Sequence, residues 1–315
     1  MIKKGIVHQR IGAIFEWSVC HLLAQKWQCE EVLLNTLHEN YFKNLEDYQR
    51  DIYNFSSEKY YLIIQGARET AHYIDSLYGK NKYVPFPLRP TEDSHFTEAD
   101  IFLSGAQKVG ISLKFSFNHS FINTKSAGYQ SILSQYFSHH LSLVSLEKQL
   151  KISLATNHYR LMEELASEFS FKGDFSTQDW MKQGLPILPG ELEGQAQKIL
   201  HHYYSDLAGD LFQALRIILD TDLNCFVAGI KKIMGFSDLN TIQVVTRYDK
   251  ESGYFNVQHF DLANSFFGIK SMTHQAGASY INIEMDSGHI LRLRVKPMDK
   301  FIVPGIKVNG ALLYK

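Results

Sequence analysis

The sequence predicts an α/β protein, and three observations carry that prediction. Apolar residues recur at helical spacing through residues 8–26, where Ile11, Ile14, Phe15, Val19, Leu22 and Leu23 share one face. Two short apolar runs, 101–103 and 109–115, flank a polar turn at 104–108 as the arms of a hairpin would. Beyond Gly235 the hydrophobic period changes from helical to two, the spacing of strands with one buried face.

The remaining elements follow in order. A Tyr-rich helix is expected over about 58–78, closing at Gly79. The segment 83–90 carries Pro85, Pro87 and Pro90, which restrict it to extended or turn backbone. Tyr129, Ile132, Leu133, Tyr136, Phe137, Leu141 and Val144 mark one face of a long helix. Residues 151–234 read as mostly helical. Between 163 and 222 they hold eleven acidic and four basic residues, a solvated region that would not face DNA. Strands are expected at 242–248, 254–260, 280–285 and 290–296. The expected organisation is therefore a mixed-sheet core over 1–150, a helical region over 151–235 and a β-rich region over 236–315. The last would serve DNA recognition or complete the first sheet, so the break near 235–240 need not be a clean one.

Composition narrows the function classes. The 315 residues include 32 basic and 33 acidic ones, a net charge of -1, which excludes a generally basic nucleic-acid coat but not a local basic face. With 45% apolar and 21% charged residues, wholesale disorder is excluded as well. Three cysteines, Cys20, Cys29 and Cys225, without C-x-x-C spacing suit a reducing cytoplasm better than a disulfide framework or a cysteine-rich zinc site. Glu16 interrupts the apolar stretch a signal peptide would need, and no apolar run reaches the length of a membrane span. The pairs His139–His140 and His201–His202 lack the i, i+4 spacing of a helical metal site, and no P-loop, G-x-G-x-x-G or G-x-S-x-G occurs.

The segment from Asp100 to Lys114 carries chemistry. Ser112 and Lys114 are two apart and share a strand face, with Val109, Ile111 and Leu113 on the other. A lysine in so apolar a strand needs a polar partner, and Asp100 across the turn supplies one. A carboxylate that holds a divalent cation beside an ammonium suits phosphodiester hydrolysis. The cation lowers the pKa of an attacking water, and the ammonium offsets charge building on the phosphoryl group. The same two residues also make an ordinary structural ion pair.

An acid at the start of one strand followed by an x-x-K on the next, after a Glu-bearing helix, resembles the PD-(D/E)xK nuclease superfamily, and within it type II restriction endonucleases. The resemblance covers roughly residues 8–145. It implies a restriction-endonuclease-like mixed-sheet core, Mg2+ as cofactor, double-stranded DNA as substrate and a homodimer, with a cognate DNA methyltransferase in the same system. Asp100, Glu16 and the Leu113 carbonyl would hold the metal, and Lys114 would position the water. Gln130, or Gln135 with Tyr136, corresponds to the glutamine and aromatic residues of some members. Asn123 and Lys125 would grip the DNA backbone. Two departures stand out: Ala99 replaces the motif's proline, and Ser112 replaces the acid of (D/E)-x-K. Members with S-x-K recruit a carboxylate from elsewhere; Glu16 is the candidate here, with Glu98 the alternative. If neither reaches the site, the competing reading is a non-catalytic module that binds nucleic acid or protein.

A second signal lies near the C-terminus. Leu291, Leu293 and Val295 alternate with Arg292, Arg294 and Lys296, and 286–315 holds six basic and two acidic residues. Such a face neutralises phosphates or reaches guanine edges; it equally describes a solvated edge strand. Asn256, Gln258, Asn282 and Glu284 also alternate outward.

Overall fold

Four helices open the chain: α1 (Lys4–Lys26), α2 (Glu30–Asn35), α3 (Glu39–Phe55) and α4 (Ser57–Tyr78). Ser56 caps α4 by accepting a hydrogen bond from the Lys59 N–H at 3.2 Å. These positions come from a computed structural model that describes all residues except 1–3, 80–82, 88–98, 118–120, 174, 237–240, 262–267 and 314–315.

Strands β1 (Val84–Pro87), β2 (Ile101–Ser104), β3 (Val109–Phe117) and β4 (Phe121–Gly128) come next. Helices α5 (Ile132–Tyr136), α6 (Leu143–Glu168), α7 (Thr177–Lys182), α8 (Gly194–Thr221) and α9 (Leu223–Met234) follow, then β5 (Thr241–Tyr248), β6 (Phe255–Asp261), β7 (Ile269–His274), β8 (Tyr280–Met285), β9 (Ile290–Pro297) and β10 (Ile306–Leu313). The described residues thus make a mixed α/β protein with two five-stranded sheets and a strand-rich C-terminal part. No described helix is long and apolar enough to cross a membrane.

The chain divides into two compact units. The first comprises Met1–Ser120 and Gly235–Ser265, the second Phe121–Met234 and Phe266–Lys315. The three segments expected along the sequence are therefore interleaved: strands from beyond residue 240 complete the first sheet.

In the first unit the sheet order is β1-β2-β3-β5-β6, antiparallel except for the β3–β5 pair. The hairpin expected at 101–115 is present, with Ile101 opposite Ile111 and Leu103 opposite Val109. The proline-bearing segment forms β1 at the sheet edge, where a missing N–H costs no ladder bond. Residues Ile14, Phe15, Val19 and Leu23 of α1 and Ile63 of α4 form one core with Ile111, Leu113 and Val244. Phe115 stacks against Phe15 with ring centroids 4.7 Å apart, so the odd-numbered face of β3 is the helix-covered one.

In the second unit the sheet is antiparallel throughout, in the order β4-β10-β9-β8-β7. Helix α8 lies against β7, β8 and β9, and α9 against β4 and β10. Leu291, Leu293 and Val295 point into this core with Ile281, Ile283 and Val308. A bulge in the β4–β10 pairing falls at Gly310, where a Cβ would collide with the Thr124 hydroxyl and sit 3.0 Å from the Lys125 carbonyl.

One expectation fails outright. The long helix over 129–144 is absent: β4 leads through a turn to the five-residue α5, and α6 begins only at Leu143. Tyr129, Ile132, Leu133, Tyr136 and Phe137 are buried, whereas Leu141 and Val144 are exposed. The chain breaks at 137–142, where the His140 ring accepts from the Ser142 N–H at 3.2 Å and bonds the Thr221 hydroxyl at 2.9 Å. Apolar spacing does not distinguish one continuous helix from a short helix followed by a bend.

Candidate active site

The site lies in the first unit, at the hairpin. Asp100 occupies the bend before β2, and its backbone N–H donates to the Ile111 carbonyl at 2.8 Å, which fixes the residue against β3. Its Oδ2 accepts from the Leu113 N–H at 2.6 Å and from the Ser112 hydroxyl at 3.3 Å, with Lys114 Nζ at 3.5 Å. Among the described residues Oδ1 accepts no hydrogen bond. About a quarter of the Asp100 and Lys114 side chains is exposed, so the pair is neither a solvated surface contact nor a sealed core pair.

Glu16 joins this pair from α1. Burial above all, and next the Asp100 carboxylate, push its carboxyl up to about 7, while Lys114 pulls the other way. Among the described residues Glu16 forms no hydrogen bond or ion pair with either group, so its link to the pair is electrostatic. The sequence left the recruited acid open between Glu16 and Glu98; Glu98 lies outside the described residues, and Glu16 is an acid whose ionisation responds to Asp100 and Lys114.

A buried carboxyl that responds to Asp100, and an Asp100 oxygen that no described residue engages, are oxygen donors of the kind a hard cation takes. Mg2+ commonly binds proteins through one or two carboxylates and keeps several waters. The described residues contain no cluster of three or more His, Cys, Asp or Glu able to hold a metal, which leaves zinc-type coordination without ligands among them. Asp100, Glu16 and the Leu113 carbonyl fit Mg2+ by the chemistry of their oxygens.

Sequence reasoning passed over Gln243. It is fully buried on β5 and stands directly opposite Ser112 in the parallel register, on the face that also carries Lys114. The available signal was an amide within the apolar run Ile242 to Val245, where a buried polar group needs a hydrogen-bonding purpose.

Most of the other candidate residues belong to the second unit. Gln130 lies in an exposed turn after β4, and Gln135 and Tyr136 lie on α5, with the Gln135 amide donating to the Tyr136 hydroxyl at 3.3 Å. Asn123 and Lys125 are on β4, and burial holds the Lys125 ammonium below its usual value. Arg292, Arg294 and Lys296 line a cavity of about 460 Å³ with Asn123 and Asn309. Asn256 and Gln258 are on β6 of the first unit, apart from Asn282 and Glu284 on β8 of the second. All three cysteines are free; Cys20 is fully buried, and burial raises its thiol far above the ordinary range.

Comparison of the chain with protein-family models, with curated proteins and with solved structures finds no match.

Proposed function

We propose that this chain is a Mg2+-dependent endodeoxyribonuclease of restriction type, built on a restriction-endonuclease-like core and cutting duplex DNA. The observation that carries the reading is the half-buried Asp100–Lys114 pair on the β2–β3 hairpin, with the buried Glu16 carboxyl of α1 responding to both charges. A purely structural Asp100–Lys114 pair has no use for a second, buried carboxylate that makes the site costlier to ionise.

Asp100 and Glu16, with the Leu113 carbonyl, would hold the metal, which when bound polarises the phosphate and makes water a better nucleophile. The Leu113 N–H and Ser112 hydroxyl fix the Asp100 carboxylate by binding Oδ2 and leave Oδ1 to the cation. Lys114, held near Asp100, presents its ammonium to the attacking water and to the charge that develops on the phosphoryl oxygens. Glu16 would be the second carboxylate donor in its ionised form, its proton passing to solvent. Ser112 contributes orientation of Asp100 rather than a ligand charge, so Glu16 supplies what the S-x-K sequence lacks.

The restriction reading extends to a homodimer acting on both strands and to a methyltransferase that protects the host's own sites. Purified protein with Mg2+ is expected to cut plasmid or phage DNA into discrete fragments, with Asp100→Ala and Lys114→Ala inactive. A smear instead of bands would indicate an exonuclease. DNA that stays intact under every divalent metal, yet is still bound, would replace the enzyme by a binding module.

A further inference from the structure

The outer face of the second unit's sheet carries a feature that the cleavage chemistry does not use. Arg292, Arg294 and Lys296 project from β9 on the side away from α8, and Lys307 stands directly opposite Lys296 on β10. Like charges directly opposite each other weaken a sheet. Burial, then Lys307 and Arg294, hold the Lys296 ammonium below its usual value, so these cations sense one another. Among the described residues none of the four forms an ion pair with an acid. Glu284, the acid on the neighbouring strand, is paired with Lys270 at 2.9 Å.

Arg292 is fixed in advance. Its guanidinium lies between the rings of Phe121 and Tyr280, 4.2 and 4.1 Å from their centroids, and its Nε donates to Asn282 Oδ1 at 3.0 Å. Both Nη atoms are without partners among the described residues, which leaves the forked edge available for bidentate bonding. Beside it the cavity of about 460 Å³ is lined by Arg294, Lys296, Asn123 and Asn309. Asn309 Oδ1 is buried there and accepts no hydrogen bond from the described residues.

We propose that this sheet face is a DNA-docking surface separate from the catalytic centre, with Arg294, Lys296 and Lys307 on backbone phosphates and the Arg292 fork and the Asn309 amide at a base edge. Cations along one strand recur about every 7 Å, forming a row rather than a point. A row suits the repeated phosphates of a polyanion better than one small anion. The amides and the clamped guanidinium add the hydrogen-bonding groups that base edges require. The choice of DNA among polyanions rests on the nuclease reading above.

The test uses the full chain without divalent metal, binding a labelled DNA duplex over a series of salt concentrations. Each phosphate contact removed lowers the slope of log Kobs against log salt by about 0.9. The variant Arg294→Ala/Lys296→Ala/Lys307→Ala is expected to lose about 2.7 from that slope, and on the order of tenfold or more in affinity at low salt. The conservative variant Arg294→Lys/Lys296→Arg keeps the slope, which separates charge from misfolding. Arg292→Lys keeps the charge but loses the fork, so affinity falls with little change of slope.

An unchanged slope in the triple variant overturns the proposal. So does competition by polyglutamate as strong as that by DNA of equal charge, which would assign the face to an acidic protein, or tighter binding of duplex RNA. The two readings fail separately. DNA cut normally by a triple variant with an unchanged slope removes the docking face alone. A face that behaves as stated in a protein that leaves DNA intact under every divalent metal removes the nuclease alone.

Discussion

Replacing Glu16 with Gln tests the proposed site through stability, independently of any substrate. In an unfolded chain the Glu16 carboxyl titrates near 4.5; in the folded protein it titrates at about 7, chiefly because it is buried and faces Asp100. Below pH 4.5 it is protonated in both states and contributes nothing. As pH rises to about 7 the unfolded state ionises first, so the folded state loses ground, and above 7 the cost is fully present. The difference between the two values corresponds to about 3 kcal/mol at the alkaline limit. For a unit of this size that amounts to roughly 6–12 °C in Tm.

Thermal melts of wild type and Glu16→Gln at pH 5 and pH 8.5, in chelator, measure it. Wild type is expected to lose stability relative to the variant between the two pH values. Mg2+ at pH 8.5 should raise the wild-type Tm and leave the variant nearly unmoved. Parallel behaviour of the two proteins at both pH values, with equal response to Mg2+, would refute the juxtaposition of Glu16 with Asp100 and the metal site built on it.

Asp100→Asn keeps an acceptor for the Leu113 N–H, so its Tm should stay within a few degrees of wild type while cleavage disappears. Lys114→Ala is expected to retain metal-free DNA binding and to lose cleavage, read by gel shift and nicking assay. Gly229 on α9 packs against the Phe137 ring and the Tyr136 carbonyl, where a Cβ has no room. Gly229→Ala should therefore destabilise the second unit by about 1–3 kcal/mol in denaturant titrations. Trp180 is fully buried and donates to the Pro186 carbonyl at 2.7 Å. Trp180→Ala should cost about 3–5 kcal/mol in the same titrations.

Local patterning determined much of this protein. The α1 and α4 helices, the hairpin around Asp100 and Lys114, and the alternation of Arg292, Arg294 and Lys296 all follow from period and turn chemistry, because each concerns neighbours along one element. Where the pattern was ambiguous it misled: Leu141 and Val144 continued the apolar spacing past a break made by His140 contacts that no periodicity records. Tertiary structure alone decided three things. It ran β5 parallel to β3 across more than a hundred intervening residues, and so brought Gln243 beside Ser112. It buried the Glu16 carboxyl within electrostatic reach of Asp100, which depends on how α1 packs on the sheet and not on any spacing between residues 16 and 100. It also set Arg292 between Phe121 and Tyr280, residues far apart in sequence. Side-chain direction within an element is written in its sequence; proximity between elements is set by the packing of their cores.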